Sequence, residues 1–180
     1  INPSNMYSAT VEHSLKKGRD AYQNGVKFNN SAVLNCGFAS LTDSVMTVKE
    51  FVYDKKEVTL SQMKEALDNN WEGFERLHTK IQKSIHKYGN GDEETDLYAA
   101  AMASFFSMKV NNRPNARGGV YKAIMHSAMM FVWQGKNTPA TPDGRYAGEE
   151  ISKNASPAIG MDRNGVTALI NSALNLKPYT

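Results

Sequence analysis

The sequence predicts a helix-rich α/β fold, and three observations support that prediction. Between residues 38 and 109, apolar side chains recur every three or four positions, which is the spacing of amphipathic helices. Residues 117–133 form an apolar run that fits a strand, a helix, or one after the other. Residues 135–165 are rich in glycine and proline and lack periodicity, so a long loop is expected there.

The first two helices are predicted on either side of a polar break. Residues 4–23 are expected to form one helix with Ser4 as its N-cap, and the break follows at 29–31. A second helix is expected over 38–52, ending before two lysines, with a stripe formed by Phe38, Leu41, Val45, Val48, Phe51 and Val52.

The next two helices carry clearer signals. Thr59 and Gln62 form a capping box at the start of a helical stripe that runs to residue 86. Gly73 lies inside that stripe and is the position at which it is expected to split, because glycine disfavours a helix interior. A fourth helix is expected over 92–109, with acidic residues in its first turn. A last short helix over 166–174 would be capped by Asp162 or Asn164.

These elements predict one partial domain over residues 1–180. Residues 1–112 are expected to be mainly helical, and residues 113–180 to hold a strand, the long loop and the short helix. The chain begins at Ile1 rather than Met and ends without a polar tail, as expected for a piece of a larger protein.

Composition excludes several classes of function. Lys and Arg number 21 against 18 Asp and Glu, a net charge of +3, which is too small to predict binding to nucleic acid. No apolar run is long enough for a membrane span, and the start lacks the pattern of a secretory signal. A single cysteine excludes an internal disulfide and a cysteine-based metal site, so a reducing cytoplasm is expected.

The cysteine and the histidines allow competing interpretations. Cys36 precedes a predicted helix, where a thiol could become a nucleophile, but a buried unreactive cysteine is the stronger expectation. His78 and His86 are eight residues apart, too far along one helix to share a metal, so no metal site is predicted. His126 and Ser127 form either a core histidine with its neighbour or a polar pair facing a pocket.

Two glycine-containing motifs follow. Arg117-Gly118-Gly119 permits close approach of a backbone or ligand, but it lacks the ending of a phosphate-binding loop. The segment 141–145, Thr-Pro-Asp-Gly-Arg, is typical of a surface turn. Its surroundings contain little charge, which favours a loop that packs against something.

Several segments in order resemble glycyl radical enzymes of the pyruvate formate-lyase type. The strongest is 141–149, Thr-Pro-Asp-Gly-Arg-Tyr-Ala-Gly-Glu. The others are Lys27 to Ser31, Gly37 to Val45, Lys87 to Asn90, Pro114 to Gly119, Ser156-Pro157, and Gly165 to Ser172. The resemblance covers nearly the whole chain.

The resemblance implies a ten-stranded α/β barrel made of two antiparallel half-barrels wrapped in helices. It implies a mechanism in which a glycyl radical generates a thiyl radical on a cysteine, which then attacks a small-molecule substrate. It also implies a homodimer in the cytoplasm, and a partner that installs the radical with S-adenosylmethionine and an iron–sulfur cluster. This chain would supply part of the barrel and contact the rest of it.

The chain lacks the family's two catalytic loops. Cys36 lies between Asn35 and Gly37, whereas the catalytic cysteine of the family has a Gly-Cys-Val-Glu-like context. No Arg-Val-Ser-Gly-Tyr-like segment is present, and Gly91 stands where the family usually has an acidic residue. The chain is therefore expected to be inactive alone and to hold no catalytic residue. A standalone binding or scaffold domain with this fold is the alternative.

Site residues are predicted in two groups. The stretch from Arg117 to Tyr121 looks more like dehydratases and amine-lyases than formate acetyltransferases. Tyr121, His126 and Ser127 are expected on a strand that faces the barrel interior and contacts the substrate. The resemblance implies that a loop containing Asp143, Gly144 and Arg145 packs near the radical site.

Overall fold

The computed structural model describes residues 2–177, so Ile1 and residues 178–180, which include the chain ends considered above, lie outside the described part. The chain forms two compact units. The smaller combines the residues up to 33 with 106–124, and the larger combines 34–105 with the residues from 125 onward. The helices and strands are α1 Asn5–Ser8, α2 Glu12–Lys17, β1 Ser31–Leu34, α3 Phe38–Val48, α4 Leu60–Asp68, α5 Glu75–Gln82, α6 Glu93–Val110, β2 Tyr121–Ile124, α7 Met130–Lys136 and α8 Gly165–Asn175.

The prediction of one helix over residues 4–23 is wrong. The chain forms two short helices and a 3-10 turn, because Asp20 folds back onto the first of them. The Asp20 carboxylate accepts hydrogen bonds from the Ser4 N–H and the Ser8 hydroxyl, both at 2.7 Å. This contact spans sixteen residues and requires a bend that a continuous helix does not allow. Ser4 occupies the N-cap position, but its side chain caps nothing.

The predicted capping box is confirmed. The Thr59 hydroxyl accepts from the N–H of Gln62, and the Gln62 side chain accepts from the N–H of Thr59 at 2.9 Å. Gly73 also divides the helical stripe as predicted, since α4 ends at Asp68 and α5 begins at Glu75. Its φ of 80° lies in the left-handed region, where glycine is favoured.

Helix α3 continues as a π-helical segment, Lys49–Asp54, but the stripe predicted for it is partly on the wrong face. Leu41 is 53% exposed, whereas Thr42, Asp43 and Thr47 are almost completely buried. The helix therefore buries polar side chains. The Thr42 hydroxyl donates to the Phe38 carbonyl, whereas the Thr47 hydroxyl has no hydrogen-bond partner among residues 2–177.

Two apolar clusters form the core of the larger unit. One packs α4 and α5 against the π-helical segment and contains Phe51, Met63, Ala66, Trp71, Leu77, Ile81 and Ala140. The other packs α3 against α6 and contains Phe38, Ala39, Tyr88, Ala99 and Ala103. Phe38 and Tyr88 meet edge to face, with ring centroids 5.5 Å apart. These clusters fix the positions of residues 71–88.

The turn that follows α5 is organised by Asn90. Its amide nitrogen donates to the carbonyls of Lys87 and Met161, and its oxygen accepts from the N–H groups of Arg163 and Asn164. No acidic residue stands at position 91, but Asp92 lies 2.9 Å from His86 Nδ1. Asp92 and His86 therefore form a local acid–base pair.

Large apolar side chains remain exposed on the helices of the larger unit. Leu97 on α6, Trp133 on α7 and Leu174 on α8 are each more than 60% exposed. Within residues 2–177, no helix combines the length and the apolar character that a membrane crossing requires.

Candidate functional site

The segment Thr141–Arg145 forms the predicted turn, but not at the surface. Asp143, Gly144 and Arg145 are all buried. The Gly144 N–H donates to the Thr141 carbonyl at 3.0 Å, and the Thr141 N–H donates to the Arg145 carbonyl at 3.1 Å. Gly144 has a φ of 95°, and a Cβ at this position would lie 2.7 Å from the Gln82 side-chain nitrogen. The positive φ therefore favours glycine, and any larger residue would also have to displace the end of the Gln82 side chain.

A buried lysine holds the Asp143 carbonyl of this turn. Lys87 is 1% exposed, and its ammonium donates to the main-chain carbonyl of Asp143 at 2.8 Å. Burial lowers the pKa of Lys87, while the nearby carboxylates of Asp43 and Asp143 oppose that shift. The lysine therefore binds the backbone of the turn and compensates two buried acids.

The next two carbonyls are held by side chains from the same region. The Gly144 carbonyl accepts from Gln82 Nε2 at 2.8 Å and lies 2.7 Å from His78 Nε2. Since a carbonyl only accepts, His78 carries its proton on Nε2. The Arg145 carbonyl accepts from the Trp71 indole N–H at 3.3 Å. Three consecutive carbonyls are thus fixed by side chains that the apolar core positions.

The Arg145 guanidinium is fully used inside the loop. A guanidinium has five N–H donors. These donors meet Thr141 Oγ1 and the carbonyls of Thr138, Pro139, Tyr146 and Glu149. Burial lowers the pKa of Arg145, and the carboxylates of Asp143 and Glu149 oppose the shift. Arg145 therefore closes the loop upon itself and has no donor left for a ligand.

Asp43 lies on α3, next to this turn, and is completely buried. Its Oδ1 accepts from the Tyr88 N–H at 2.8 Å, whereas Oδ2 has no hydrogen-bond partner among residues 2–177. Burial raises the pKa of Asp43 to about 7, although the Lys87 charge and the Tyr88 N–H favour the ionised form. Asp43 is therefore a carboxyl group whose protonation changes near neutral pH.

These groups surround a cavity of about 330 Å³. Its polar wall includes Ser40, Asp43, Asp143 and Arg145, and its apolar wall is formed by Ala158, Ile159 and Met161. Ser40 and Ser152 tie this wall to the N-terminus of α3, because each hydroxyl accepts the other residue's N–H, at 2.9 and 3.0 Å. The cavity is therefore framed by rigid backbone.

The residues predicted to contact substrate do not share one strand. Tyr121 lies on β2 at 36% exposure, but the strand ends at Ile124, so the expectation that His126 and Ser127 lie on it is wrong. Beyond the strand, the Ser127 N–H and hydroxyl engage the Asn154 side chain at 2.9 and 3.2 Å instead of a neighbouring strand. Ser127 is buried, whereas His126 is exposed and is not a core histidine.

Cys36 does not have the environment of an activated nucleophile. The thiol is half-buried, and burial raises its pKa. Reactive thiols have a lowered pKa, so the structure disfavours a thiol enzyme built on Cys36. No cluster of three or more His, Cys, Asp or Glu side chains within residues 2–177 could hold a metal ion.

Sequence reasoning missed Lys87 and Asp43 as site residues. Lys87 adjoins a recognisable glycine turn, but a lysine there is expected in solvent. Asp43 recurs with Ala39 and Met46 at helical spacing, and that face is the one that is buried. The helical spacing of Asp43 with these two apolar residues was the signal that could have indicated its burial.

Three comparisons relate this chain to known proteins. A family model described as pyruvate formate lyase-like matches residues 1–135. The (2S)-3-sulfopropanediol dehydratase of Klebsiella oxytoca is 33% identical over 177 residues, covering 96% of this chain and 21% of that protein. The chain therefore spans about a fifth of the length of such relatives.

Solved structures give the same result for the fold. The hydroxyproline dehydratase of Clostridioides difficile, with trans-4-hydroxy-L-proline bound, superposes with a TM-score of 0.90 at 30% identity, covering 97% of this chain and 22% of that one. A glycyl radical enzyme from Archaeoglobus fulgidus superposes with a TM-score of 0.87 at 34% identity over the same shares. Both similarities extend over almost all of this chain, including residues beyond the family match.

Proposed function

The chain belongs to the pyruvate formate-lyase-like family of glycyl radical enzymes, and from this premise we propose that it is a segment of the barrel of such an enzyme and is inactive alone. The parent enzyme would cleave a C–C, C–O or C–N bond of a small molecule in anaerobic metabolism. The observation that carries this proposal is the match to solved glycyl radical enzymes over 97% of the chain.

Dehydration is the favoured reaction within this range. The relatives from Klebsiella oxytoca and Clostridioides difficile are both dehydratases, which eliminate water from a hydroxylated substrate. Acyl transfer of the formate acetyltransferase kind is the alternative reaction in the family. Identity near 30% over a fifth of the protein supports the reaction class more than a particular substrate.

The radical itself belongs to the proposed parent enzyme rather than to the residues of this chain. A glycyl radical, when installed, would supply the hydrogen abstraction that starts the reaction. A partner using S-adenosylmethionine and an iron–sulfur cluster would install it, and the parent would be a cytoplasmic homodimer. None of the 13 glycines of this chain has the Arg-Val-Ser-Gly-Tyr-like context, so no radical step is assigned here.

The proposed role of the turn at Asp143, Gly144 and Arg145 is to pack near the radical site. Its rigidity supports this role, because each of its three carbonyls accepts at least one side-chain hydrogen bond. A rigid wall keeps a neighbouring reactive group in place and excludes water. The turn would act by position, with no bond made or broken on it.

Tyr121, His126 and Ser127 are proposed to contribute to the substrate wall. The exposed side chains of Tyr121 and His126 present a phenol and an imidazole that can hydrogen-bond to a polar substrate. Ser127 would act indirectly, because its hydroxyl is already engaged with Asn154. Tyr121→Phe and His126→Gln in the parent should raise KM with the radical yield unchanged, whereas Ser127→Ala should also lower stability.

A standalone binding or scaffold domain is the competing function. It requires a chain that is monodisperse and melts cooperatively without exposed apolar surface. The exposed Leu97 and Trp133 side chains favour the barrel segment instead, since they offer apolar contacts to further protein.

Electron paramagnetic resonance tests the proposal directly. The 180-residue chain is incubated anaerobically with a family activating enzyme, S-adenosylmethionine and a reductant, beside the parent enzyme as a positive control. The parent should develop the glycyl radical doublet and turn over substrate, and the 180-residue chain should do neither. A glycyl radical signal on the chain alone would contradict the proposal.

A further inference from the structure

Three aromatic side chains form a stack beside the turn. The ring centroids of Trp71 and His78 are 5.2 Å apart, and those of His78 and Tyr146 are 4.7 Å apart. Both separations lie within the range of attractive ring contacts. Trp71 is 1% exposed and Tyr146 is 39% exposed. The aromatic stack therefore leads from the apolar core to the surface.

A hydrogen bond joins the two ends of the aromatic stack as well. The Trp71 indole N–H donates to the Arg145 carbonyl, which belongs to the peptide bond that precedes Tyr146. The backbone of Tyr146 is itself fixed, since its N–H donates to Glu149 Oε2 at 2.9 Å and its carbonyl accepts from the Arg145 guanidinium at 3.0 Å. Trp71 and Tyr146 are therefore coupled both through the rings and through one hydrogen-bonded peptide.

The two ends differ in what happens to a proton when an electron is lost. Oxidation makes the Trp71 N–H acidic, but its partner is a carbonyl, which only accepts a hydrogen bond. Burial also keeps water away from Trp71. An oxidised Trp71 therefore remains a radical cation, the more strongly oxidising of its two forms. Tyr146 is exposed and can release its phenol proton to solvent, which makes it the easier residue to oxidise at neutral pH.

The buried Tyr88 lacks this exit for a proton. Its side chain is completely buried, and its hydroxyl has no hydrogen-bond partner among residues 2–177. Burial accordingly raises the pKa of its phenol. Oxidation of Tyr88 would leave a proton without an acceptor, so Tyr146 is favoured over Tyr88 as the electron donor to Trp71.

We propose that the aromatic stack is an electron relay that moves an oxidising equivalent from the core to the surface. An oxidant of the alkoxyl-radical class takes one electron from Trp71 and one proton from solvent, and becomes an alcohol. Trp71 recovers its electron from Tyr146, which releases one proton to solvent and becomes a neutral tyrosyl radical. Ascorbate in solution then returns one electron and one proton to Tyr146. The relay thereby protects buried side chains from oxidation.

Laser flash photolysis of the Trp133→Phe variant tests the transfer step. Trp133 is exposed, and its replacement leaves Trp71 as the sole tryptophan of the chain. A flash at the red edge of tryptophan absorption ejects an electron from Trp71, and nitrous oxide with tert-butanol removes that electron and the hydroxyl radical it forms. The indole radical cation should appear first and decay as a tyrosyl radical rises at the same rate. Decay without a tyrosyl radical would overturn the proposal.

A second substitution in this variant identifies the tyrosine. Tyr146→Phe should abolish the tyrosyl radical and prolong the lifetime of the Trp71 radical, because phenylalanine keeps a ring beside His78 but has no proton to release. Tyr98→Phe, at a half-buried position on α6, is the matched control and should leave both signals unchanged. In urea, which separates the rings, the two tyrosine variants should behave alike. Equal kinetics of the two variants in the folded state would contradict the assignment of Tyr146.

Ascorbate tests the protective role. It should quench the radical of Trp133→Phe faster than that of Trp133→Phe/Tyr146→Phe, because a solute reaches Tyr146 but not the buried Trp71. Equal quenching of the two proteins would contradict transfer to the surface. The relay does not depend on the glycyl radical proposed for the parent enzyme, so its failure would leave the electron paramagnetic resonance test unaffected.

Discussion

Lys87 and Asp143 are 56 residues apart in sequence and meet in a buried hydrogen bond of 2.8 Å, in which the ammonium donates to a main-chain carbonyl. The lysine therefore recognises the path of the backbone in the turn rather than the acidic side chain. It also places a positive charge near two buried carboxyl groups, those of Asp43 and Asp143. The conformation of the turn and the ionisation of these acids are thus coupled through one residue.

Lys87→Met should destabilise the chain by about 1–3 kcal/mol, because the buried carbonyl of Asp143 loses its donor. The same substitution should move the pKa of Asp43 above about 7, since a favourable charge is removed. Urea unfolding and carboxyl NMR measure the two effects. Lys83→Met is the control, because Lys83 is exposed and lies close to Lys87 in sequence. It should change the free energy of unfolding by less than about 0.5 kcal/mol. Equal effects of the two substitutions would contradict this role of Lys87.

Asp43 should make stability depend on pH between about 4 and 7. Burial raises its pKa from 3.8 to about 7, so in this window the folded chain keeps a proton that the unfolded chain has lost. Its contribution is complete below pH 4 and is lost as the pH rises through 7, with a slope on the order of 1.4 kcal/mol per pH unit.

Asp43→Asn removes this titration and should flatten the dependence relative to wild type. Chemical unfolding at several pH values gives both curves. Asp68→Asn serves as the matched control, because it removes an exposed carboxyl and should retain the wild-type slope. Parallel curves for wild type and Asp43→Asn would show that Asp43 ionises normally.

Trp71→Phe should destabilise the chain by about 1–3 kcal/mol. Phenylalanine retains an apolar ring but loses the indole N–H that donates to the carbonyl of the buried Arg145. Trp133→Phe, at a residue 63% exposed, is the control and should fall within about 0.5 kcal/mol of wild type. A larger loss of stability in Trp133→Phe than in Trp71→Phe would contradict this role of Trp71.

Cys36 should react slowly with iodoacetamide at neutral pH. Burial raises the pKa of its thiol, so the reactive thiolate is scarcer than in an unfolded chain. The alkylation rate of the folded chain should therefore be lower than that of the chain in urea at the same pH. A faster reaction in the folded state would revive the interpretation of Cys36 as a nucleophile.

The sequence predicted the local features of the fold better than the long-range ones. The capping box at Thr59 and the helix break at Gly73 depend on neighbouring residues and are confirmed. The continuous helix over residues 4–23 is wrong because Asp20 reaches back sixteen residues to Ser4, a contact that no local pattern encodes. The strand predicted to include His126 ends early for a similar reason, since Ser127 bonds to Asn154.

In the candidate site, too, the local features were predicted and the long-range contacts were not. The turn at residues 141–145 was predicted from its proline, aspartate and glycine, and the structure confirms it. The low charge around it predicts a packed loop, but the residues that bury it could not be deduced, because they are donors 56 to 74 residues away, such as Lys87 and Trp71. Lysine and tryptophan side chains that satisfy carbonyls elsewhere in the chain have no signature in their own sequence neighbourhood.

Amide hydrogen exchange at Gly144 tests most directly whether side chains from residues 71–87 fix the turn. The Gly144 N–H donates to the Thr141 carbonyl inside a buried turn, so its exchange should be slowed to the range of the core amides of α5. Lys87→Met should abolish much of that protection while the amide of Ile81 stays protected. Exchange of Gly144 at the rate of an unprotected loop in the wild-type chain would contradict the proposed organisation of the site.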